Sequence, residues 1–426
     1  MNTLVTVVFG VLFFAAVMAC VALHEVGHLV PAKAFGVKVP KYFVGFGKTL
    51  WSTRRGETEY GVKLVPLGGF VQLLGMYPPG RPGGRDTRLG RLADEARAAE
   101  WEEITPADHG RLFYEKPVWQ KIVMMAGGIT MNLLIAFALF WGVAGLYGTY
   151  RTQPTVAAIV ECLPVTPRTD GTCLPTDPRT PAAEAGLRAG DTVVEFNGVA
   201  ITDYPQLSAL IRDSRGGEVR LVVERDGVRT PLAPTHTLVT TVADPLDPGR
   251  TVQAGWLGVR PVIALTRSGP VEVLRDMRDL TGQSVVALVQ LPVKTWNVAV
   301  DLVTGQPRDV TGPISVVGAS TVAGEIAGAD LTVADKAASF VSLLAGVNLF
   351  LAVFNLVPLP PLDGGHIVGA VYEGGRRSLA RLRGKPDPGP ADTAKMLPVA
   401  YVVGGLLLVM GVVLIVADIV SPVKIF

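Results

Sequence analysis

The chain has 426 residues, 49% of them hydrophobic, a mean hydropathy of +0.38 and a formal net charge of +2. That length exceeds one ordinary domain and suits a membrane body plus a soluble module, while the balanced charge gives no surface for nucleic acid. Three cysteines, Cys20, Cys162 and Cys173, are too few for a disulfide scaffold or a Cys-rich zinc site.

A spanning helix needs about 20 mostly apolar residues. The first such stretch, residues 3–30, carries no charge before His24. It lacks a basic leader and an A-x-A cleavage site, so it reads as an uncleaved span rather than a signal peptide. Residues 42–47 and 59–70 then alternate in hydrophobicity with glycine punctuation, which predicts a small sheet at the membrane surface. Residues 80–112, rich in Gly, Arg and acidic side chains, predict a solvated loop with a helix near 90–103. A second apolar run covers 122–147.

Between the spans lies a soluble module. A short helix is expected to end at Gly186, and a turn at Ala189–Asp191 leads into a strand. Asn197-Gly198 and Asp226-Gly227 predict two tight hairpin turns around a helix at 204–213. Cys162 and Cys173 flank a short polar loop and can pair if that loop lies in an oxidising compartment. Residues 270–310 are helical in pattern but irregular, which suggests an amphipathic helix on the membrane surface. Apolar runs at 337–359 and 396–419 give the third and fourth spans.

Lys and Arg in short flanking loops set orientation. Residues 31–121 hold 15 basic residues, and Arg376, Arg377, Arg381, Arg383 and Lys385 lie between spans three and four. Both segments belong in the cytoplasm. Four spans then put both termini and residues 149–335 outside, in a multi-pass protein of the plasma membrane.

His24-Glu25-Val26-Gly27-His28 is an H-E-x-x-H sequence inside the first span. At 3.6 residues per turn the two imidazoles share a helix face and can bind one Zn2+. Glu25 beside them can serve as general base. Ionisable groups are costly in lipid, so a chance cluster is disfavoured. A catalytic zinc takes three protein ligands and keeps one open position. Asp363, in Leu362-Asp363-Gly364-Gly365-His366 after the third span, is the candidate third ligand. On spacing alone it competes with a helix-capping role for Asp363 and with His366 as ligand. His109 and His236 lie in polar segments and read as surface residues.

Together these motifs resemble the site-2 protease family of intramembrane zinc metalloproteases, in the branch that cuts membrane-bound anti-sigma factors in actinobacteria. Gly45-Phe46-Gly47 and Pro66-Leu67-Gly68-Gly69-Phe70 resemble that family's membrane-reentrant hairpin, and Thr311-Gly312-Pro313-Ile314-Ser315 its lead into the third core helix. The resemblance implies Zn2+ held by His24, His28 and Asp363, with Glu25 as catalytic base. It further implies substrate contacts at Gly45, Phe46, Gly47, Asn132 and Asn355, and single-span membrane substrates such as anti-sigma factors in a lipid bilayer. Relatives often carry proline where Ile129 stands, a departure that bears on local helix geometry.

The implied fold is a polytopic α-helical membrane protein with about four transmembrane helices, a membrane-associated β-hairpin and an inserted extracytoplasmic PDZ-like α+β domain. Its parts are an N-terminal membrane core (1–150), the PDZ-like domain (151–268), a connecting segment (269–335) and a C-terminal membrane core (336–426). The Cys162–Cys173 insert falls in the PDZ ligand loop. The competing expectation is a non-proteolytic membrane-anchored scaffold with a structural zinc.

Overall fold

The computed structural model describes residues 3–79, 88–163, 172–243 and 251–423. Residues 80–87 of the expected solvated loop, and residues 164–171 between the two cysteines, lie outside these.

The uncharged first run forms α1, Thr3–Ala34. Two long strands follow, β1 (Lys41–Arg55) and β2 (Thr58–Gln72). Both bend, and β1 pairs twice: Phe43 stands opposite Gly61 on one side and Phe70 on the other. The segment 41–44 is therefore interior to a small sheet, and 69–72 is its margin. Tyr42 donates its hydroxyl hydrogen to the Ala22 carbonyl at 2.8 Å and ties the sheet to α1. Helix α2, Arg88–Trp101, occupies the region where sequence reading expects one. Helix α3, Val118–Gly142, runs without a break through Ile129.

Contacts divide the chain into two units: Met1–Val143 with Gly269–Phe426, and Ala144–Ser268. The second unit is an α+β body. Its main sheet runs Val259–Thr266, Thr149–Ile159, Thr192–Phe196, Leu221–Arg225, Val228–Pro231 in spatial order. Helices α4 (Pro181–Ala185) and α5 (Tyr204–Ser214) complete it, around a core that includes Phe196, Leu187, Leu207 and Leu221. Asn197, Gly198, Asp226 and Gly227 all take positive φ, as tight primed turns require. Burial alone would raise the Asp191 carboxyl, but two bonds from Arg225 and one from the Arg188 N–H hold it below the usual carboxylate range. Cys162 and Cys173 are joined as a disulfide.

In the first unit, α6 spans Pro270–Thr304, followed by α7 (Val316–Gly328), α8 (Val333–Asn355), α9 (Asp363–Leu382) and α10 (Leu397–Val420). Sequence reading counts about four spans. Among the described residues, five helices are long and apolar enough to cross a membrane, and the fifth is α6. Five of its seven charges cluster in the first three turns, at Glu272, Arg275, Asp276, Arg278 and Asp279, with Lys294 and Asp301 further along, and averaging over 270–310 masks the largely apolar length beyond the first turns. Exposed Val285, Val289, Val293, Trp296 and Val300 share one face of it.

Two buried ion pairs pin these helices. Lys121 in α3 donates to both Glu373 carboxylate oxygens in α9 at 2.9 Å, and the Ala391 N–H adds a third bond to that carboxylate. Asp418 near the end of α10 pairs with Arg308 and accepts from the Ser315 and Gly318 N–H groups at the start of α7. Asp418 thus serves as a structural clamp, with its charge neutralised and its lone pairs occupied. That accounts for the ionisable residue in the last span without an ion path.

Candidate metal centre

One turn separates His24 and His28, so both rings leave α1 on the same side. Their Nε2 atoms stand 3.2 Å apart. Asp363 Oδ2 lies 3.3 Å from each of them. Zinc bonds of about 2.0–2.1 Å in tetrahedral geometry place neighbouring ligand atoms about 3.3–3.4 Å apart. Three protein atoms therefore already sit at the spacing of three corners of a zinc-sized tetrahedron. Asp363 Oδ2 is buried, faces two imidazoles and makes no hydrogen bond. An orphaned carboxylate oxygen of that kind is what a cation satisfies. The donor set of two imidazoles and one carboxylate also suits zinc. The residues present fit the ion.

Local structure holds each group in place. His28 Nδ1–H donates to the Met124 carbonyl at 2.8 Å, which turns its Nε2 lone pair toward the other two groups. Asp363 is the first residue of α9, whose cap position is Leu362, and no side chain caps that helix. The capping role weighed for Asp363 is thus absent and its carboxylate is free for the cluster. A Cβ on Gly365 would lie 2.5 Å from Pro360 N and 2.7 Å from Leu359 C. Glycine there lets the helix start fold back on the proline turn and aim Asp363 at α1.

A cavity of about 450 Å³ opens on the cluster. Asn132, fully buried with its Oδ1 unpartnered, and Asn355 both line it. Glu25 lines it too and accepts a hydrogen bond from the Val71 backbone N–H. His366 stands in the wall but outside the convergent set, which is His24, His28 and Asp363. His109 is exposed and pairs with Glu115 at 3.3 Å, away from the site. His236 sits on a short strand of the other unit.

Gly45, Phe46 and Gly47 do not line the cavity. They follow the doubly paired segment of β1, and a Cβ on Gly45 would lie 2.8 Å from the Val65 carbonyl oxygen. The sheet margin at the cavity is Gly68–Val71, and a Cβ on Gly69 would sit 3.0 Å from Glu25 Cγ. Sequence periodicity shows which residues are strands but not which strand ends at the edge.

One feature escapes the sequence reading. Helices α1 and α3 meet at Gly27 and the pair Gly127-Gly128, where a Cβ on Gly128 would lie 2.6 Å from His24 Nε2. The missing side chains let α3 press against both imidazoles. The available signal is a glycine pair inside an otherwise apolar helix, which is entropically unfavourable unless close packing needs it. Gly128→Val is expected to push the rings apart and weaken zinc binding at least about 10–100-fold, the loss typical of disturbed ligand support. Metal analysis beside an unchanged circular-dichroism spectrum checks this; full zinc content in the variant contradicts it.

A family model described as Peptidase family M50 matches residues 12–386. The chain is 38% identical over 438 residues to "Zinc metalloprotease Rip1" of Mycobacterium tuberculosis, with 98% of each chain covered. It is 37% identical over 433 residues to Rip1 of Mycolicibacterium smegmatis, again with 98% of each covered. A putative zinc metalloprotease of Brucella suis is 27% identical over 407 residues, covering 94% of this chain and 91% of the relative.

Proposed function

This chain belongs to peptidase family M50 and is a zinc metalloprotease, and from that premise we propose that it hydrolyses peptide bonds in or beside the spanning segments of single-span membrane proteins, anti-sigma factors among them. The observation that carries the reading is the tetrahedral spacing of His24 Nε2, His28 Nε2 and Asp363 Oδ2, with both histidines on a helix apolar enough to cross a bilayer.

In this reading His24, His28 and Asp363 hold the zinc. Held there, zinc would supply Lewis-acid chemistry, polarising the scissile carbonyl and lowering the pKa of water toward about 7. Glu25 takes the proton of the attacking water and passes it to the leaving amine. Its bond from the Val71 N–H holds the carboxylate at the edge of the sheet, next to where a peptide would lie. A helical substrate buries its scissile carbonyl in an i→i−4 bond, so the cut segment must unwind first. Adding that segment as a strand beside Gly68–Val71 would satisfy its main chain and lay it across Glu25. Asn132 and Asn355 offer side-chain amides to the substrate backbone within the same cavity.

Basic residues flanking α1, α3 and α9 favour a cytoplasmic end that includes the Lys121–Glu373 pair. The unit Ala144–Ser268 is then extracytoplasmic and PDZ-like, acting as a size filter on substrates already trimmed outside.

The test uses full-length protein in lipid nanodiscs with a model single-span substrate. Cleavage is expected within or next to the apolar segment, lost on chelation and restored by stoichiometric zinc. Cleavage that survives complete zinc removal overturns the reading.

A further inference from the structure

We propose that His366 donates a hydrogen bond into the reaction cavity, to the substrate carbonyl oxygen as negative charge builds on it. The proposal rests on the peptidase reading of this site and adds a transition-state role that the zinc cluster and Glu25 do not fill.

His366 lies three residues after Asp363 on α9, so the two side chains leave the same face. At that spacing their Cβ atoms are about 5–6 Å apart. The Asp363 carboxylate closes the cluster, which leaves the imidazole one helical turn along as part of the cavity wall. Three observations set it apart from a structural histidine. It lines the cavity of about 450 Å³ together with Glu25 and Asn355. It does not belong to the set of groups whose ligand atoms converge. No hydrogen bond or ion pair engages it among the described residues, whereas His28 is held by the Met124 carbonyl and His109 by Glu115.

Imidazole carries an N–H in either neutral tautomer and two when protonated, so it is a donor in every state. An N–H that meets the developing charge in a cavity walled by Leu73, Met76 and Met125 acts at a lower dielectric than that of bulk water, and a single donor is worth more there. The ground-state carbonyl gains less from the same donor, so the effect falls on turnover more than on binding.

The experiment compares wild type, His366→Ala and His366→Gln as full-length protein in nanodiscs. Zinc per chain, kcat and KM are measured, with affinity for a phosphinic peptide that mimics the tetrahedral state. Substrate affinity is measured separately in a Glu25→Gln background. His366→Ala is expected to keep its zinc and its substrate affinity. Its kcat should fall about 10²–10³-fold, the usual loss for one oxyanion donor, and its affinity for the phosphinic peptide should fall in parallel. The amide N–H of Gln should restore part of both. Loss of zinc makes His366 a ligand and overturns the proposal. Unchanged kcat, or equal losses in substrate affinity and turnover, also overturns it. A wild type that cuts no faster than Glu25→Gln sinks the peptidase reading itself, an outcome separate from failure at His366 alone.

Discussion

Glu25→Gln is expected to lower the rate of substrate cleavage by roughly 10³-fold, within the range of about 10²–10⁴ for a positioned general base, while zinc content stays at one per chain. The two outcomes separate because Glu25 lines the cavity but stands outside the convergent set of His24, His28 and Asp363. Gln is nearly isosteric and keeps a carbonyl oxygen to accept the Val71 N–H, so the sheet edge should not move. What disappears is a group able to accept the proton of water and return it to the amine. Affinity for uncut substrate should stay within a few-fold, which makes this variant the natural trap for the enzyme–substrate complex. Zinc loss in Glu25→Gln would make Glu25 a ligand, and unimpaired cleavage would leave the site a structural metal centre.

Asp363→Ala is expected to abolish both zinc and cleavage. Two histidines one turn apart remain, and two ligands do not make a catalytic zinc site. Replacing an outer partner of a ligand commonly costs about 10–100-fold in metal affinity, and removing a ligand should cost more. The protein should still fold. Asp363 caps no helix, and α9 stays anchored to α3 by the Lys121–Glu373 pair. Removing a buried carboxylate that faces two imidazoles also relieves a desolvation cost. Zinc measured by mass spectrometry on protein purified without added metal decides the matter. A full equivalent of zinc in Asp363→Ala would exclude this carboxylate as third ligand and return attention to His366.

How much of this was legible in the residues differs from element to element. The spans follow from uncharged runs that have only one low-energy environment, and α1, α3, α8 and α10 begin and end within a few residues of the expected positions. The H-E-x-x-H pair is equally local, because the helical period alone brings His24 and His28 to one face. In the Ala144–Ser268 unit the turns at Asn197-Gly198 and Asp226-Gly227 are set by residues that accept positive φ.

Other features depend on contacts between distant segments and leave weak marks on the chain. The sequence offered Asp363 as cap or ligand, with His366 beside it as a rival. Only the fold, through the glycine pair that starts α9 and the clamp from Lys121, brings that carboxylate to 3.3 Å from residues more than 330 positions earlier. The strand margin at the cavity is a feature of the same kind. Alternation marks a strand without saying which neighbours it pairs with, and the double pairing of Phe43 leaves Gly68–Val71 as the margin that lines the cavity. Gly128 carried little signal because what it lacks matters only once α3 meets the two imidazoles. The chain by itself therefore determined most of the long apolar helices, the two histidines on one face and the class of ion, since local periodicity and the cost of charge in lipid are properties of the chain. The third corner of the site, its open strand edge and the packing that aligns them were decided by tertiary structure, because they are distances between segments that no short-range pattern encodes.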